Sequence, residues 1–181
     1  DYISFLHEDI PIHMGAACHL ILKAIAERGQ RSIEREILDY KPRPYSIKDA
    51  PIKRKINEFR TGDKFKIGSL EVEPIHVDHS VPGAYGFIIW TSEGPIAYTG
   101  DIRLHGTHSE MTRDFINRAK EVKPIALITE GTRIADKETD ESEQKVYQES
   151  SKTVEDTKNI VFADFNFKDV DRLMTFFNIA K

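Results

Sequence analysis

Three stretches of this chain place metal-competent side chains directly after segments that read as β-strands. They are His76-Val77-Asp78-His79-Ser80-Val81-Pro82-Gly83, Tyr98-Thr99-Gly100-Asp101 and Leu127-Ile128-Thr129-Glu130-Gly131-Thr132. A strand end is a favoured place for function, because the sheet fixes the backbone while the loop frees the side chain. An imidazole offers a borderline-soft nitrogen suited to zinc, and a carboxylate offers a hard oxygen able to bridge two cations. Two cations about 3.5–4 Å apart can activate water and neutralise the charge that develops on attack, so the matching chemistry is metal-assisted hydrolysis. Each part alone is weak. A lone histidine after a strand is more often structural, Thr-Gly-Asp is common turn chemistry, and Glu130 can equally cap its loop or the next helix. The signal lies in their order, with a hairpin between His79 and Asp101 and a helix–strand unit between Asp101 and Glu130.

The elements that must position these residues follow from local pattern. Apolar residues at helical spacing predict a helix over Ala16 to Arg28, with Gly29 as its C-cap. A strand is expected over Ile10 to Met14, and a helical stretch over Tyr2 to His7. Pro42, Pro44 and Pro51 mark Lys41 to Pro51 as irregular. Short strands follow at Lys64–Ile67 and Leu70–Val77, joined by Gly68-Ser69. Ala84–Thr91 and Pro95–Thr99 form a hairpin around Ser92-Glu93-Gly94. A helix is expected over Thr112 to Val122, a short buried strand over Ile125 to Thr129, and a helix over Ser142 to Thr157. A last strand over Asn159 to Ala163 and a helix over Lys168 to Ala180 complete the chain. Strands in the middle flanked by helices predict an α/β fold with a mixed sheet.

Composition sets the outer limits. The chain has 181 residues, 39% hydrophobic and 31% charged, which suits a globular domain with its own core. No apolar run approaches the roughly 18 residues of a membrane span, no signal-peptide pattern opens the chain, and the single Cys18 calls for no oxidising compartment. A cytoplasmic protein is the expectation. The net charge of −4 argues against a broad nucleic-acid-binding face. Lys41 to Lys66 nevertheless holds nine Lys/Arg residues, while acidic residues crowd between Glu130 and Glu149; both runs read first as solvated surface. The chain opens without methionine and closes inside a helical pattern, which reads as a piece of a longer protein.

The stretch from His76 to Gly106, with Asp-His-Ser-Val-Pro-Gly at 78–83 and Tyr-Thr-Gly-Asp at 98–101, resembles the metallo-β-lactamase superfamily. Within it the similarity is to the β-CASP nucleases of the ribonuclease J type. The resemblance implies a partial αββα sandwich over residues 1–157 and the start of a β-CASP domain over 158–181. It also implies His79 and Asp101 as zinc ligands, Asp101 bridging two ions, and Glu130 as the acidic residue that opens the β-CASP region. Asp101 and Glu130 are then the catalytic candidates, and Ser80 and His105 the candidates for substrate contact. Phe162-Ala163-Asp164-Phe165-Asn166 and the helix after it resemble the first strand and helix of that domain. The implied activity is zinc-dependent cleavage of RNA by a phosphodiesterase, with hydrolysis of a small ester, thioester or lactam, or a non-catalytic fragment, as alternatives. An oligomer remains open.

The family's His-x-His-x-Asp-His cluster is absent from these residues; His7, His13 and His19 do not reproduce it. It is expected upstream of Asp1, and the later β-CASP histidine motifs beyond Lys181. Two ligands cannot hold a catalytic zinc pair, since even one catalytic zinc takes about three. His76 reads as structural, and His105 and His108 as loop residues.

Overall fold

The computed structural model describes residues 2–28, 33–41, 50–132, 141–166 and 168–181, which fall into two compact units, 1–60 and 61–181. In the first, a 3-10 turn at Tyr2–Phe5 precedes strand β1 (Ile12–Gly15) and helix α1 (Ala16–Arg28). Helix α2 (Ile33–Leu38), β2 (Asp39–Tyr40), β3 (Ile52–Lys53) and β4 (Ile56–Phe59) follow. β1 and β4 pair in parallel, with Ile12 opposite Ile56 and Gly15 opposite Phe59. Ile12, Met14 and Ile37 form the small core, with Cys18, Leu22 and Ile56 against it. His19 on α1 is buried and its Nδ1 lies 2.6 Å from Glu58 Oε1 on β4. Arg54 sits inside the basic run expected at the surface, yet it is only 6% exposed. Its guanidinium donates to the carbonyls of Leu6 (2.6 Å) and His7 (3.2 Å), a structural use of the charge. The Gly29 cap and most of the irregular Lys41–Pro51 stretch lie outside the described residues.

The second unit is built on a five-stranded sheet in the order β5-β6-β7-β8-β9. Its strands are β5 (Phe65–Ile67), β6 (Leu70–His76), β7 (Tyr85–Trp90), β8 (Pro95–Tyr98) and β9 (Ala126–Ile128). Helix α3 (Ser109–Val122) lies between β8 and β9 in the chain, and α4 (Glu143–Asp156) and α5 (Val170–Ile179) follow. The first four strands are antiparallel and β9 joins β8 in parallel, so the sheet is mixed as expected. Period-two alternation puts Ile75, Ile88 and Ala97 on one face, since Ile88 stands opposite Ala97. Phe115 of α3 packs there with Val77, and Ile88, Ala97 and Phe115 are at most 2% exposed. Burying a side chain such as Phe115 contributes about 2–3 kcal/mol. At the margin of that face Arg118 grips Glu73 with two hydrogen bonds of 2.8 and 3.1 Å. That grip holds the Glu73 carboxyl below its ordinary range. On the opposite face His76 stacks on Tyr85 at 4.2 Å.

Two expectations are corrected. The strand expected as buried over Ile125–Thr129 forms as β9, but Ile125, Leu127 and Ile128 are 60%, 61% and 51% exposed. Among the described residues it is an edge strand paired with β8 alone, so its apolar composition reported strand propensity and not burial. Asn159–Ala163 forms no strand; it has no ladder partner among the described residues, and Phe162 is 91% exposed. The chain is thus mixed α/β, and none of the described helices is long and apolar enough to cross a membrane.

Candidate metal centre

Strand direction brings the three polar loops together. β6 and β8 each run antiparallel to β7, and β9 runs parallel to β8, so all three point the same way. The loops that leave their C-terminal ends therefore emerge from one edge of the sheet. Those loops carry His79, Asp101 and Glu130. Thr99 N donates to Ile128 O at 3.0 Å, which carries the β8–β9 pairing to the threshold of the second and third loops. Gly100 makes the turn that follows. Its φ is +60°, and a Cβ there would stand 2.9 Å from the Tyr85 carbonyl, so both handedness and space call for glycine.

A cavity of about 710 Å³ opens where these loops meet. Its wall includes His79, Ser80, Asp101, His105 and Glu130, so all five candidate residues share one space. His79 Nε2 lies 3.9 Å from Asp101 Oδ2. Ser80 Oγ is 3.3 Å from His79 Nδ1, the other ring nitrogen. The Asp101 side chain is 75% exposed and projects from the turn. His76 and His108 do not line the cavity.

Glu130 is held differently. Its Oε1 accepts from Ile102 N at 2.7 Å and its Oε2 from the Thr132 hydroxyl at 2.8 Å. These bonds, the Ile102 amide first, keep its carboxyl below the ordinary carboxylate range. The loop-capping use of Glu130, left open by its residue type, is the one the geometry displays, with the side chain still at the cavity wall.

The donor set fits an edge of a zinc site. Two ligands about 2.0–2.1 Å from one tetrahedral ion stand roughly 3.4 Å apart, close to the His79–Asp101 separation. Among the described residues no group of three or more His, Cys, Asp or Glu side chains is placed to hold an ion. The pair by itself offers two donors, fewer than the roughly three protein ligands that a catalytic zinc takes.

Sequence reasoning missed the charged layer around the pair. Arg103, Glu143, Asp169 and Arg172 also line the cavity. Glu143 belongs to the acidic run expected at the solvated surface, yet its side chain is only 11% exposed. Arg172 donates to both its oxygens, at 3.0 and 2.8 Å, and this holds the Glu143 carboxyl below its usual range. The available signal was the helix start: Ser142 caps α4 by accepting from Lys145 N, which puts Glu143 in the first turn.

Comparison with known proteins places these observations. No family model matches the chain. It is 28% identical over 109 residues to a ribonuclease J of Sinorhizobium meliloti, a match covering 59% of this chain and 19% of that protein. It is also similar to the crystal structure of a protein of unknown function from Enterococcus faecalis V583, with a TM-score of 0.72 and 27% identity. That match covers 98% of this chain and 40% of the other. The chain thus spans about a fifth of the curated relative and two fifths of the solved one, and in the curated comparison it is similar to a ribonuclease J.

Proposed function

We propose that this chain is part of a zinc-dependent phosphodiesterase of the β-CASP group that acts on RNA. The observation that carries the reading is the 3.9 Å approach of His79 and Asp101 on one cavity wall, from loops that leave one sheet edge. Similarity to a ribonuclease J supports the substrate class. In this reading residues 1–157 belong to the metallo-β-lactamase-like domain and 158–181 begin the β-CASP domain. The remaining ligands belong to the His-x-His-x-Asp-His motif, which these 181 residues do not contain.

His79 Nε2 and the Asp101 carboxylate would hold zinc. When bound, zinc supplies a Lewis acid that activates water and offsets charge developing on a phosphate. The chain's own residues supply orientation. Ser80 Oγ beside Nδ1 steadies the ring with Nε2 turned to Asp101. Glu130 holds the Ile102 amide, and with it the backbone just after Asp101. Ser80 and His105, which line the same cavity, would contact the substrate in this reading.

The test uses the full-length protein. It should retain about two zinc ions per chain and cleave single-stranded RNA. Asp101→Ala should lose the metal and at least 100-fold in rate. Zinc-free protein without RNA cleavage would refute the reading, and efficient ester hydrolysis without RNA cleavage would reassign the substrate.

A further inference from the structure

Beside the proposed ligand pair lies a second pair, one residue before His79 and two after Asp101. Arg103 Nε donates to Asp78 Oδ1 at 2.8 Å, and the two side chains are only 9% and 2% exposed. Their backbones are joined as well. Arg103 N donates to Asp78 O at 2.9 Å. The Thr112 hydroxyl, fully buried on α3, accepts from Asp78 N (2.9 Å) and donates to Arg103 O (3.0 Å). Gly106 closes over the pair, where a Cβ would collide with both Asp78 Oδ2 and Arg103 Nε. Four polar links and one close approach thus fix the first loop against the second.

The same guanidinium reaches two helices further along the chain. Its Nη2 donates to Asp171 Oδ2 on α5 at 3.1 Å, and its Nη1 lies 3.6 Å from Glu143 Oε1 on α4. Glu143 N in turn donates to His105 O at 3.2 Å, returning the contact to the Asp101 loop. A planar fork can serve three carboxylates in different directions at once, which a lysine ammonium on a flexible stem does with far less geometric control.

We propose that Arg103 is a positioning residue: it sets the spacing of the His79 and Asp101 loops and couples that spacing to the seating of α4 and α5. Its consequence for catalysis rests on the metallohydrolase reading above; its mechanical part does not. Arg103 touches no reacting atom in this scheme. It acts through the two loops that carry the ligands.

The experiment compares full-length wild type, Arg103→Lys and Asp171→Asn. Lysine keeps the buried charge, so the variant should fold with a melting temperature close to wild type. In metal-free protein, amide hydrogen exchange at Asp78 and Arg103 should quicken about 10-fold in Arg103→Lys, while exchange at Ile88 in the sheet stays unchanged. Zinc release to a competing chelator should accelerate about 10-fold, the lower end for a lost partner of a metal ligand. On RNA, kcat should fall by a similar factor with KM within two-fold. Asp171→Asn should show the same pattern at about three-fold. A folded Arg103→Lys with wild-type exchange at both amides overturns the proposal, whatever the protein does to RNA. Faster exchange with unchanged zinc release overturns the link to the ligands. Faster exchange in a protein whose wild type holds no zinc and cleaves no RNA upholds the positioning role and removes the hydrolase reading instead.

Discussion

Neighbouring residues in the same two loops behave in opposite ways. Asp78 and Arg103 are buried and in contact, with hydrogen bonds on both backbone and side chain. His79 and Asp101, one and two residues away, stand 3.9 Å apart, and the carboxylate is three-quarters exposed. One layer is closed, with Asp78 and Arg103 bonded through side chain and backbone even though Asp78 Oδ2 takes no hydrogen bond. The other is held open with its donors turned to a cavity. In the proposed metal centre the two would divide the work: the open donors would bind, and the closed layer would keep them at a fixed separation without reorganisation.

The comparison breaks most severely at Asp78. Replacing Asp78 with Ala leaves the Arg103 guanidinium buried with fewer partners, and removing one member of a buried pair typically costs about 3–5 kcal/mol. Because Asp171 and Glu143 remain to Arg103, a loss near about 3 kcal/mol is expected, read from urea unfolding at pH 7. A value under about 0.5 kcal/mol, in the range of ordinary surface changes, would mean the closed layer is no more than surface.

The second test lies at the edge of the same layer. Arg172 holds Glu143 below its ordinary value of 4.5, so the stabilisation is complete above that value and is lost as pH falls through the lower folded value. Asp171 runs the other way, because burial raises its carboxyl and acid therefore favours its folded form. Glu143→Gln should cost about 1.5 kcal/mol at pH 7, the scale of a hydrogen bond to a charged group. It should also flatten the fall of stability between pH 5 and pH 3, roughly the range in which carboxylates titrate. An unchanged acid limb would remove Glu143 from the closed layer.

The smallest effect on folding belongs to the open layer. Asp101→Ala should shift stability by less than about 0.5 kcal/mol, since the side chain is exposed, while abolishing zinc retention. A large loss of stability in the metal-free protein would show that Asp101 also serves the fold, and the contrast between the two layers would fail.

Local pattern was a good guide wherever the cause was local. The helix expected over Ala16–Arg28 forms over those residues, and α3 begins only three residues before its expected start at Thr112. Ser142 caps α4, as the capping preference of serine allows. The hairpin around Ser92-Glu93-Gly94 closes with Thr91 and Gly94 bonded in both directions. Pattern failed where the answer depended on distant partners. The parallel pairing of β1 with β4 joins residues 44 positions apart, from Ile12 to Ile56. Asn159–Ala163 has the composition of a strand, yet a strand exists only with a neighbour to bond.

Residue type and order alone singled out His79, Asp101 and Glu130, because imidazole and carboxylate chemistry, strand ends and turn residues are written locally. That the three loops leave the same edge was decided by sheet order, which sets the direction of β6, β8 and β9. The closed layer was likewise a tertiary decision. Asp78, Arg103, Thr112, Glu143 and Asp171 carry no spacing that marks them as partners, and only packing makes burying these polar and charged groups tolerable by giving each a counterpart.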